Sequence, residues 1–79
     1  MSGRIEHPAR VETWSGYIGH KVSIRWAVRN DPDYPFSEGV GVVQSVAPDE
    51  LGTQTLTILN RRNETILVPV GDILAAKAF

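Results

Sequence analysis

No cysteine occurs among the 79 residues, so neither a disulfide nor a thiolate metal site can reinforce the fold. Apolar runs are short, and none approaches the roughly 18 residues that a membrane-spanning helix needs. The first twenty residues hold Arg4, Glu6, His7, Arg10 and Glu12 and no apolar stretch. That pattern argues against a secretory signal and makes the cytoplasm the expected location. Histidine is scarce too: His7 and His20 are the only two, with no ligand spacing around them. Neither sign of charge prevails, with 8 Lys and Arg against 9 Asp and Glu and a formal net charge of −1. A dedicated nucleic-acid binder usually carries a basic excess. What is present in quantity is apolar surface, at 42% of residues, too much for a disordered tail. The length suits one small domain, which buries only roughly 60% of the surface its unfolded chain exposes. A substrate pocket with a catalytic shell is hard to fit into so little protein.

Along the chain, the residues before Trp14 are polar, carry Gly3 and Pro8 and show no periodicity. Residues 1–13 are therefore expected to form a flexible arm and 14–79 the domain. Trp14, Tyr17 and Ile18 supply the first apolar cluster, placed to cap one end of a core. From Lys21 to Arg29, Val22, Ile24, Trp26 and Val28 alternate with polar or small residues, the period of a half-buried strand. Asn30 to Glu38 is a loop by chemistry, with Pro32 and Pro35 removing donors and Asn30, Asp31 and Asp33 favouring turns. Gly39 to Val46 returns as a second strand whose phase slips at Val42 and Val43. Its glycines suit a bent or bulged strand at a barrel corner. Thr53 to Asn60 and Thr65 to Val70 are the third and fourth strands, and Pro69 confines the latter to an edge or an end. Asp72 to Phe79 has two readings: a short helix capped by Asp72, or a 3₁₀ turn followed by a last strand from Leu74. Short strands at regular spacing indicate a small all-β barrel, and closing it favours the strand. The expected core is Val22, Ile24, Trp26, Val28, Val42, Leu56, Ile58, Ile66, Val68 and Ile73.

Chemistry-bearing constellations are sparse. A nucleophilic site needs a base and an orienting group beside the nucleophile, and neither His7 nor His20 has such company. The carboxylates Asp31, Asp33, Glu38, Asp49 and Glu50 fall in turns, where they are ordinarily solvated. No catalytic, cofactor-binding or metal-binding residue is assigned. Gly39-Val40-Gly41 is a GxG fragment, but Gln44 stands where a dinucleotide fingerprint needs its third glycine. Two binding surfaces remain. Arg25 and Arg29 share the outer parity of the first strand with Lys21 nearby, and Arg61 and Arg62 sit in a turn. With Tyr34 or Phe36 stacking a base, these could hold RNA. Alternatively, Tyr34, Pro35 and Phe36 line a slot for a protein partner, with Arg25 and Arg29 as a charged margin, or the aromatics simply cover an open end of the barrel.

The opening Gly19-His20-Lys21-Val22-Ser23-Ile24-Arg25-Trp26 and the ending Ile66-Leu67-Val68-Pro69-Val70-Gly71-Asp72-Ile73-Leu74-Ala75-Ala76-Lys77 carry one family resemblance. Together they resemble the SH3-like barrel that precedes the catalytic domain in a group of actinobacterial GNAT-superfamily N-acetyltransferases. The likeness covers residues 17–79. It implies a five-stranded SH3-like barrel with a 3₁₀ turn before the last strand, and it implies that catalysis lies elsewhere. Acetyl-CoA would belong to the parent enzyme, because the family's Gln/Arg-x-x-Gly-x-Gly/Ala turn has Phe36 at its first position here and no following helix. What the resemblance implies is a noncatalytic module that contacts the adjacent catalytic domain or another protein; whether the chain is a cut domain or stands alone is left open.

Overall fold

The computed structural model describes residues 3–29 and 31–79. Six strands form one antiparallel sheet: β1 (Gly3–Arg4), β2 (Lys21–Ala27), β3 (Phe36–Pro48), β4 (Gln54–Leu59), β5 (Thr65–Pro69) and β6 (Ile73–Ala78), in the order β1-β6-β2-β3-β4-β5. The C-terminal strand lies beside the first long strand, and a 3₁₀ turn at Val70–Asp72 leads directly into it. This is the expected small all-β, SH3-like arrangement with one strand more than the five anticipated. The helix alternative for the C-terminus is overturned, because Val22, Ser23, Ile24 and Arg25 each take a partner on β6.

β3 is what turns a sheet into an enclosure. Its first half, Phe36 to Val42, pairs with β2, and its second half, Val42 to Pro48, pairs with β4. Val42 is paired with both strands, opposite Lys21 of β2 and Leu59 of β4. The ladder breaks between Val43 and Ser45, leaving Gln44 as the extra residue of a bulge. Gly41 sits in the bend with almost no room: a Cβ there would lie 2.6 Å from the Leu59 carbonyl oxygen. Glycine lets the two backbones approach this closely. The β3–β4 and β4–β5 turns are each closed by an acceptor side chain that takes two backbone N–H groups. Asp49 accepts from Leu51 and Thr53 at 2.9 Å, and Asn60 accepts from Arg62 and Glu64 at 2.9 Å.

The core consists of Ile5, Trp14, Val22, Ile24, Val43, Leu56, Ile58, Val68, Val70, Ile73 and Ala76. Of the expected core, Trp26 and Ile66 pack against it half-buried, and Val28 is half-buried at the strand end. Val42 is a correction. The bulge geometry gives the inward place to Val43 and turns Val42 to the outer face, opposite Lys21 and Leu59.

The larger correction concerns the arm and the domain boundary. Within residues 3–13, β1 pairs with the end of β6, Ile5 is buried, and the helix α1 (Val11–Trp14) begins. Ile5 N–H donates to Ala76 O at 2.9 Å, and the Trp14 indole donates to Pro8 O at 2.8 Å. Trp14 is fully buried, with Tyr17 tilted against it at 5.8 Å between centroids. The segment therefore closes one end of the barrel, as part of the domain. Lone apolar residues without a period carry this packing, so a periodicity argument passes over them.

Candidate interaction surface

On the face turned away from the core, β2 presents Lys21, Ser23, Arg25 and Ala27, which lie opposite Val42, Val40, Glu38 and Phe36 of β3. The Arg25 guanidinium lies over the Phe36 ring at 4.9 Å from its centroid. Its Nε donates to Glu38 Oε1 at 2.8 Å, and its NH2 group donates to the same oxygen. Glu38 thus fixes the cation, and the cation fixes one face of the ring. Phe36 remains 47% exposed and Tyr34 72% exposed, so the outer faces of two aromatic rings are available at the β2–β3 end of the barrel. An Asx turn orders the loop between them, with Asp31 accepting from the N–H groups of Asp33 and Tyr34.

Phe36 and Glu38 belong to β3 rather than to the loop expected at 30–38, because the ladder continues through Arg25↔Glu38 and Ala27↔Phe36. Asn30 lies outside the described residues. The structure does not bring Arg25 and Arg29 together as one outer row, since β2 ends at Ala27. Arg29 pairs instead with Asp72 of the 3₁₀ turn, its Nε and NH2 donating to Oδ1 at 3.1 and 2.6 Å. Lys21 lies over the Phe79 ring at 5.2 Å. Arg61 and Arg62 form no ion pair within 4.0 Å among the described residues, but Lys21, Arg25 and Arg29 are already engaged within the chain. The sequence showed their parity but not the carboxylates that hold them, which stand 13 and 43 positions away.

His20 is exposed and meets Tyr17 edge-on. Among the described residues, every buried side chain is apolar, and no group of three His, Asp or Glu could hold a metal ion. No helix among them is long and apolar enough to cross a membrane.

The acetyl-CoA pyrophosphate does not fit the GxG segment. Gly39 and Gly41 lie inside a strand, a side chain at Gly39 would start 3.4 Å from the Trp26 ring, and Gly41 faces the Leu59 backbone. The amides here serve the sheet and open on no helix N-terminus. Comparisons with protein-family models, curated proteins and solved structures return no match.

Proposed function

We propose that this chain is a noncatalytic, cytoplasmic SH3-like interaction module, the N-terminal domain of a GNAT-superfamily N-acetyltransferase or a stand-alone relative of one. Its partner is the adjacent catalytic domain or another protein. The observation that carries this reading is the exposed aromatic pair, Phe36 and Tyr34, with Arg25 locked between Phe36 and Glu38. Aromatic and arginine side chains that are held in place lose little freedom on binding and dominate the energetics of protein interfaces. The resemblance of the segment Ile66 to Lys77 supports the acetyltransferase context.

An RNA-binding barrel is the rival class. The pairing of Arg25 with Glu38 and of Arg29 with Asp72 weighs against it, because a phosphate would have to displace a carboxylate at each. Calorimetric titration separates the two. Binding of a GNAT catalytic domain from the same organism, weakened in Phe36→Ser, is the expected result. Single-stranded RNA should not bind even at ~50 mM salt, where phosphate contacts are strongest. Saturable RNA binding that falls steeply with salt, without binding of the protein, would overturn the reading.

A further inference from the structure

A trough of about 560 Å³ runs across the outer faces of β1, β6 and β2. Arg4 and Lys77 stand at one end, the Arg25–Glu38 pair stands at the other, and Gly3, Ser23 and Ala75 keep the floor low. The register sets Arg4 directly opposite Lys77 on neighbouring antiparallel strands. Like charges in that position destabilise a sheet. Neighbouring cations are compensated: Arg25 by Glu38, Arg29 by Asp72, and Lys21 by the Phe79 ring. Among the described residues neither Arg4 nor Lys77 has a carboxylate within 4.0 Å. Two uncompensated cations above a small-residue floor are unfavourable in the free domain. An anion seated between them would convert their repulsion into charge-assisted hydrogen bonds.

The far end of the trough selects what carries that anion. Arg25 and Glu38 neutralise each other there, so only Arg4 and Lys77 offer free positive charge, and the further phosphates of an extended polyanion would find no free cation along the trough. A single acidic side chain on an otherwise neutral segment needs no more than that one clamp. We propose that the trough receives an acidic side chain of an extended partner-protein segment, with Arg4 and Lys77 as its charge clamp. The proposal rests on the interaction-module reading and supplies the chemistry of the partner.

The test is an amide chemical-shift titration of the isotope-labelled chain with a Gly-Ser octapeptide carrying one central Glu. The same peptide with Gln, inorganic phosphate and a short oligouridylate serve as parallel arms. The Glu peptide should move the amides of Arg4, Ser23, Ala75 and Lys77 saturably, and the Gln peptide should not. Lys77→Glu should weaken binding by about tenfold or more, the scale of one lost charge-assisted contact. Arg4→Gln should act in the same direction, and Arg61→Glu, outside the trough, should have no effect. Well-dispersed spectra of the variants establish that they are folded.

Equal response to Gln, shifts confined to other strands, or no response to Glu would overturn the proposal. So would equal or stronger binding of phosphate or oligouridylate at the same amides. Catalytic-domain binding at Phe36 without any Glu-peptide response would remove the trough alone. A Glu-peptide response without catalytic-domain binding would support the trough and remove the acetyltransferase partner.

Discussion

Replacing Trp14 by alanine tests whether the end cap built from Pro8, Trp14 and Tyr17 is part of the core. Trp14 is fully buried, holds the Pro8 carbonyl through its indole N–H at 2.8 Å, and packs against Tyr17. Truncation removes the largest fully buried side chain and leaves a cavity beneath a segment tied down at few other points. Buried Trp→Ala changes cost about 3–5 kcal/mol. A domain of this length has roughly 4–12 kcal/mol of stability in total. The variant is therefore expected to lose from about a quarter to all of that stability. Trp14→Phe keeps a ring and loses the hydrogen bond, so a smaller loss of about 1–2 kcal/mol is expected. Urea unfolding followed by circular dichroism measures both. A Trp14→Ala variant within about 1 kcal/mol of the wild type would refute the packing argument, because an arm that merely rests on a complete barrel gives that result.

Other substitutions probe separate links of the account. Gly41→Ala should lose about 1–3 kcal/mol, since its new methyl meets backbone that cannot swing aside; Gly71→Ala, with nothing within 4 Å, should stay within about 0.5 kcal/mol in the same urea series. Lys77→Glu should raise stability by about 0.2–1 kcal/mol by replacing a like-charge cross-strand pair with an opposite one. Thermal melts should show that gain shrinking at ~1 M salt. Asn60→Ala frees the N–H groups of Arg62 and Glu64 to solvent. A loss of about 1 kcal/mol is expected in chemical unfolding, similar to losing a helix cap. Arg25→Ala should cost less than about 1 kcal/mol, because both it and Glu38 are more than half exposed at the side chain.

The strands were legible wherever period two ran unbroken, as from Val22 to Trp26, and Asp49 fell in an evident turn, whereas Asn60, which closes the next one, was indistinguishable from the end of the third strand. Sequence alone could not choose between Val42 and Val43, because that choice depends on a bulge at Gln44 whose position is set by pairing with β4. The same limit hid the packing ahead of Trp14: Ile5 stands singly among polar residues, and only β6 and the barrel end give it something to bury against. At the candidate surface, the sequence left open whether Tyr34 and Phe36 cover a barrel end or face outward; the structure leaves both exposed. The pairing of Arg25 with Glu38 and the meeting of Arg4 with Lys77 are products of strand register, and Arg29 reaches Asp72 only because β6 returns beside β2. Local pattern contains no register.

The most direct test of the central claim is an amide-shift map of the isotope-labelled chain with an unlabelled GNAT catalytic domain from the same organism. The expected result is a contiguous set of perturbed amides at Arg25, Tyr34, Phe36 and Glu38, lost in Phe36→Ser while the spectrum stays dispersed. Perturbations confined to β4 and β5, or none at all, would contradict it.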